Sequence, residues 1–231
     1  LQPPVDQANF LADQFAAGAV DPAQPDRMVD ALTFSLAATP QVTTLAFVAP
    51  DLKVTGVRRV ADRVERFALE LQGGARLGPA MIEMIGAKGP FWGKVEREPG
   101  STVAMINLRT PLRRDGAFVG ALVSTISILE LSRMLAEVNR DRPERPFILY
   151  GEDHVLAHPS NVFGIPDSTG GDEPLPRVAE FGDPVLADLW SPTASRLIER
   201  RGDIEARLVE VPDAQRVVLY QTVRDYGPVP W

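Results

Sequence analysis

The segment TPLRRDGAFVGALVSTISILELSRML, Thr110 to Leu135, constrains the fold more than any other stretch of the chain. Asp115-Gly116 separates two runs of β-forming residues, and an Asp-Gly pair in that position is a strong short-range hairpin signal. The second run, Ala117 to Ile126, passes directly into Ile128–Val138, whose apolar positions recur at helical spacing. A hairpin that feeds straight into a helix calls for a sheet with a helix laid against it. One face of the second strand carries Phe118, Gly120, Leu122, Ser124 and Ile126, and the other carries Ala117, Val119, Ala121, Val123 and Thr125. The second face is uniformly small, which leaves room either for a ligand or for a closely packed helix. Thr125 ends it. A strand against solid core has little use for a hydroxyl there, whereas a strand lining a ligand cavity does.

The remainder alternates around this unit. Val5 to Val20 places Val5, Ala8, Ala12, Phe15, Ala16 and Ala19 on one helical stripe. A second helix with Met28, Val29, Leu32 and Leu36 as its apolar face ends before Pro40. Strands are expected at 43–49, 53–60, 92–96 and 103–109, with a helix at 79–87. Arg58, Arg59, Arg63 and Arg66, interleaved with Asp62 and Glu65, read as a solvated strand-and-turn face. Asn139 to Pro146, NRDRPERP, is the linker candidate. After it the plan returns in shorter form. FILY, a turn at 151–153 and HVLAH are followed by a Gly-, Pro- and Asp-rich loop and a short helix at 183–190. ARLVEV and RVVLYQTV around Pro212-Asp213-Ala214 then make a closing hairpin. The reading is an α/β (α+β) chain with a helical leader and two related lobes, and 231 residues with 45% hydrophobic side chains suffice to bury their cores.

Several chemistries are disfavoured. A net charge of −7 makes nucleic acid a poor partner. No cysteine is present, which excludes disulfides, thiol catalysis and Cys-ligated zinc. His154 and His158, the only histidines, fall on a strand, where four residues separate their rings by roughly 13 Å, too far to share a metal. There is no P-loop and no GxSxG elbow, and no Ser-His-Asp grouping suggests itself from spacing. Glu83, inside an apolar helix, is either a raised-pKa acid or a solvent-facing side chain. The expectation is no catalytic residue, no metal and no cofactor. No apolar run approaches the roughly 20 residues of a membrane span. A start at Leu1 and an end at DYGPVPW suggest a soluble piece of a longer protein.

FWGKV, Phe91 to Val95, is more informative. As a strand it points Trp92 and Lys94 the same way. The pair either holds a small anionic or π-rich ligand, or Trp92 is core and Lys94 extends to solvent. Met105 and Asn107 share a face of the next strand.

These segments resemble a known family. PLRRDGAFVGALVSTISILELSRML looks like the double Cache pattern, and FILYGEDHVLAHPSNV looks like the opening of that family's membrane-proximal lobe. DPVLADLW and VVLYQTVRDYGPVPW are similar to bacterial membrane-bound adenylate and guanylate cyclases that carry this sensor. The resemblance implies two PAS-like lobes, each a mainly antiparallel sheet flanked by helices. It divides the chain into an N-terminal helical stalk (1–40), a membrane-distal ligand-binding lobe (41–142) and a membrane-proximal lobe (143–231). It implies a small-molecule sensor in the periplasmic part of an inner-membrane receptor, a homodimer formed through the N-terminal helices, and membrane anchors outside this chain. The receptor is a nucleotide cyclase, or alternatively a histidine kinase, diguanylate cyclase or chemoreceptor. A ligand-free structural or dimerisation module is the other reading. Trp92 matches the family's pocket tryptophan. Amino-acid-binding members place an Asp where Thr125 stands, and a hydroxyl cannot supply the charge-assisted bond a carboxylate gives an ammonium. The expected site is therefore Trp92 stacking on the ligand, Lys94 supplying charge and Thr125 hydrogen-bonding, with Met105 and Asn107 contributing. An anionic ligand suits it better than an amino acid.

Overall fold

The computed structural model describes residues 2–61, 63–71, 77–97, 103–162 and 173–231. Asp62 and most of the Gly-, Pro- and Asp-rich loop lie outside them. The chain forms two compact units, Leu1–Val95 with Met105–Glu130, and Glu96–Ala104 with Leu131–Trp231. The division falls at residue 130, inside a helix, where the sequence reading sets a boundary after 142.

The first unit opens with helices α1 (Gln2–Ala16) and α2 (Pro25–Ala38). Pro25 occupies the first turn of α2, where its missing N–H costs nothing, and Asp26 complements the helix dipole. The strands are β1 (Thr44–Val48), β2 (Lys53–Val60), β3 (Arg63–Glu70), the short β4 (Phe91–Trp92), β6 (Ala104–Arg114) and β7 (Ala117–Ser127), with β5 (Glu96–Arg97) falling in the stretch assigned to the second unit. Helix α3 (Leu77–Gly86) precedes β4, and α4 (Ile128–Val138) follows β7. The sheet order is β3-β2-β1-β7-β6-β4, with every one of these pairs antiparallel. The β6–β7 turn is the expected one, with Asp115 and Gly116 at φ 52° and 80°.

The leader helices are built into this unit. Leu11 and Phe15 of α1 and Met28, Val29, Leu32 and Leu36 of α2 bury against Leu45, Phe47, Val57, Leu112 and Leu122. The rings of Phe15 and Phe47 stack 5.7 Å apart. Arg59 does not belong to a solvated face. Its guanidinium donates to the carbonyls of Leu36 and Thr39 at the end of α2, adding a second donor to acceptors that already take the backbone N–H groups of Thr39 and Val42. The strand β3 was not expected. It is a sheet edge with most side chains in solvent, and only Glu65 and Phe67 are half-buried, too few apolar positions to show a strand period.

The second unit contains a hairpin, β8 (Ile148–Tyr150) and β9 (His154–Ala157), the short helix α5 (Pro184–Ala187), and a sheet of β10 (Ser195–Arg201), β11 (Ile204–Val211) and β12 (Ala214–Gln221). Asp183 caps α5, its Oδ1 accepting from the backbone N–H of Val185 at 2.8 Å and of Leu186 at 3.3 Å. Leu149, Val155, Val178, Leu186, Leu189, Val209 and Val218 form the core. Trp190 lies edge-on to Tyr220 and donates to the carbonyl of Glu152. His158 is buried, with its Nδ1 accepting from the backbone N–H of Ser160 at 3.2 Å and its Nε2 3.8 Å from Asp183. β10 was also missed, because SRLIERR has neither period and all but Ser195 are exposed.

Candidate functional site

The register of the first unit's sheet lines up two rows of side chains on the face turned away from α1 and α2. In one, Asn107, Thr125, Thr44, Arg58 and Glu65 stand directly opposite one another across β6, β7, β1, β2 and β3. In the next, Phe91, Arg109, Val123, Ala46, Gly56 and Phe67 do the same. Met81 of α3 packs on this face with Ala46, Val48, Val54, Phe67, Leu71 and Val123. The first row is entirely polar, and the second is small at its centre.

The polar row is held firmly at its β6–β7 end. The hydroxyl of Thr125 donates to Asn107 Oδ1 at 2.7 Å. The carbonyl of Thr125 accepts from the Thr43 backbone N–H at 2.8 Å and from its hydroxyl at 3.1 Å. Gly93 donates its backbone N–H to the carbonyl of Asn107 at 2.8 Å. Both backbones are thus pinned, and Asn107 is only 8% exposed.

Among the expected site residues, Asn107 and Thr125 are brought together, and Met105 lies two residues along on the same face, opposite Ser127. Lys94 is exposed, beyond the end of β4. Trp92 is placed elsewhere. It pairs with Leu108, so it lies on the opposite face of the sheet from Asn107 and Thr125, and it is 7% exposed. The expectation that Trp92 and Lys94 share a strand face does not hold, because β4 stops at Trp92. Phe91, not Trp92, is the β4 aromatic on the Asn107 face.

Arg109 was overlooked. The two-residue period that selects Met105 and Asn107 selects Arg109 as well. Its side chain is 14% exposed, and its Nη1 lies 3.4 Å from Glu83 Oε2 of α3. The guanidinium runs so close to Gly93 that a Cβ there would come within 3.2 Å of it. Glu83 is therefore the solvent-facing side chain of the two readings, 58% exposed, and it meets a guanidinium that is mostly buried.

Among the described residues no three His, Cys, Asp or Glu side chains gather as a metal site. The two histidines have separate partners, His154 meeting Glu173 and His158 meeting Ser160. No described helix is long and apolar enough to cross a membrane.

Solved structures similar to this chain are sensory domains. The ligand-binding domain of the Campylobacter jejuni chemoreceptor Tlp3, in complex with 4-methylisoleucine, is 12% identical, with 94% of this chain and 82% of that one covered and a TM-score of 0.57. The chain has the fold of a sensory domain. The extracellular domain of the histidine kinase vpHK1S-Z8 matches over 98% of this chain and 84% of its own at 10% identity and a TM-score of 0.60. The ligand-binding domain of the Pseudomonas fluorescens chemoreceptor CtaA, in complex with L-isoleucine, matches over 99% and 80% at 14% identity and a TM-score of 0.56. No family model matches the sequence, and no curated protein does. The mixed α+β architecture with antiparallel sheets and an N-terminal helix is the Cache-like one that the sequence resemblance implies.

Proposed function

We propose that this chain is the extracytoplasmic small-molecule sensor of a transmembrane signalling receptor, and not a catalyst. The observation that carries the reading is the likeness to sensory domains over nearly the whole chain. The polar row ending in Asn107 and Thr125 supports a ligand site on that sheet face, with Met105 beside it and Lys94 at the rim. Occupancy shifts the population between two arrangements of sheet and helices, and that shift is the signal.

The finer features belong to the same proposal. The receptor sits in the inner membrane, with this part in the periplasm, and carries a nucleotide cyclase as its output. The similarity of the closing segments to cyclase-linked sensors favours that output. The stalk, distal lobe and proximal lobe span 1–40, 41–142 and 143–231. Dimerisation runs through the N-terminal helices, where Phe10 and Phe34 are 60% and 76% exposed. The ligand is a small anion rather than an amino acid, because Thr125 offers an ammonium no charge.

A thermal-shift screen tests the reading. A compound that binds the native state raises the melting temperature with its concentration. A spacer with no ligand responds to nothing, which would favour the structural module instead. Once a ligand is found, the Lys94→Ala/Thr125→Ala double variant is expected to lose affinity, and full retention would remove both residues from the site. Sedimentation of the Phe10→Asp/Phe34→Asp variant checks the dimer surface, which predicts a monomer.

A further inference from the structure

We infer, independently of the sensor reading, that the outer edge of β3 docks a second copy of this chain. The two β3 strands run antiparallel about a two-fold axis at Ala68.

β3 ends the order of the first unit's sheet, and its ladder with β2 runs without a shift from the Lys53–Glu70 pair to the Val60–Arg63 pair. The Leu71 backbone N–H donates to the Leu52 carbonyl at 3.0 Å, which fixes the phase of that ladder. Glu65, Phe67 and Leu69 therefore turn their backbone groups toward β2, and Arg66, Ala68 and Glu70 turn theirs outward. Among the described residues no strand takes up those outward groups. Edges of this kind are usually blunted by a bulge, a proline or lysines. β3 carries none of these, and it leaves Val64 and Leu69 37% and 47% exposed.

The sequence RVERFALE selects the occupant. Antiparallel strands meet through outward-facing residues, so only every second register is open. With Ala68 on the axis, Arg66 stands opposite the partner's Glu70 on one face of the joined sheet. Phe67 stands opposite the partner's Leu69 on the other face. Symmetry repeats each pair. Unlike charges meet, apolar side chains cover one another, and small Ala68 takes the centre. One register step away, Val64 meets the partner's Glu70 and Glu65 meets the partner's Leu69. A further step sets Arg66 against the partner's Arg66. In the other direction Glu70 meets the partner's Ala68, and no charge is paired. Arg66 is available, because its ion pair with Asp30 is exposed at both ends and readily exchanged. Phe67 already packs on the apolar cluster of Ala46, Val48 and Val54, which the partner's Leu69 extends. A contact this short is weak alone. It forms at high concentration, or between chains that the leader helices already pair, and leaves a lone chain monomeric in dilute solution.

The chain has no cysteine, so thiols can be introduced one at a time. The test is the rate at which a short bismaleimide cross-links the whole chain at high protein concentration. Ala68→Cys places two thiols on the axis, with Cα atoms about 5.5 Å apart. Val64→Cys leaves both charge pairs intact but sets its thiols roughly 26 Å apart along the strands. Ala68→Cys is expected to cross-link at least tenfold faster. In the Ala68→Cys chain, Arg66→Glu should slow the reaction about tenfold, as should Glu70→Arg, because two opposite-charge pairs become like-charge pairs at once. The two changes together should restore the rate to within about threefold. Should Arg66→Glu unfold the chain by repelling Asp30, Glu70→Arg carries the comparison, and melting temperatures check every variant. Equal rates for Ala68→Cys and Val64→Cys would overturn the inference, as would charge reversals that leave the Ala68→Cys rate unchanged, or a double reversal no faster than the single ones.

Discussion

Arg113 and Arg114 are neighbours in β6, yet they hold helices on opposite faces of one sheet. Arg114 donates to the carbonyls of Phe15 and Val20 at the end of α1, at 3.3–3.4 Å. Arg113 donates to the carbonyls of Ile85 and Ala87 at the end of α3, the latter at 3.4 Å. Successive strand residues point to opposite sides, so a single dipeptide ties the ligand-side helix and the first leader helix to the same hairpin. Arg114→Ala is expected to lower stability by about 1 kcal/mol in urea unfolding, since its bonds are charge-assisted but partly solvated. Arg113→Ala should leave global stability nearly unchanged while increasing amide exchange across α3.

Gly120 lies across from Leu112, next to the bulge in the β6–β7 ladder. Its φ is +145°, and a Cβ there would come within 2.5 Å of the Phe47 ring and 2.8 Å of the Val48 carbonyl. Gly120→Ala therefore combines strain with overpacking and should cost about 3 kcal/mol, read from the shift of the urea midpoint. A cost below about 1 kcal/mol would mean that the bulge relaxes freely.

Phe15 joins α1 to the sheet through its stack with Phe47 and is fully buried. Phe15→Ala should destabilise the first unit by about 3–5 kcal/mol, the range for removing a buried aromatic. If α1 were a detachable leader, the same change would leave the unit's near-ultraviolet circular dichroism and melting temperature intact.

Burial depresses the His158 pKa, with Arg145 adding to the effect and Asp183 opposing it. A histidine held neutral in the fold binds fewer protons there than in the unfolded chain. Its contribution to stability is thus complete above the unfolded value of 6.5 and is lost as pH falls through the lower folded value. Wild type should lose stability as pH falls below about 6.5, and His158→Asn should flatten that slope in chemical unfolding curves. An unchanged slope would assign the acid sensitivity to carboxylates instead.

The strands most readable in the sequence were those with a buried face. β2, β7 and α4 appear within a residue of where their periodicity places them, because each alternates or repeats against a core. The edge strands β3 and β10 were illegible, since a strand with both faces largely in water carries little hydrophobic pattern. In the site, Asn107 and Thr125 were legible one at a time, as polar residues at alternate positions. Their union was not, because register joins residues 18 apart through a turn of known type but unknown bulge. The side Trp92 takes was not legible because FWGKV was read as one strand, whereas β4 stops at Trp92 and leaves the buried indole and the exposed Lys94 without a common strand face.

The two rows on the ligand face exist only in one alignment of β6 with β7. Slide the hairpin past β1 by a single residue and Asn107, Arg109 and Thr125 turn under α1 and α2, while Leu108 and Ser124 rotate out toward α3. Whatever vocabulary of ligands this scaffold has explored, it has had to do so by swapping side chains in place. Inserting or deleting one residue near Asp115-Gly116 would erase the recognition surface and the hydrophobic interior in the same stroke.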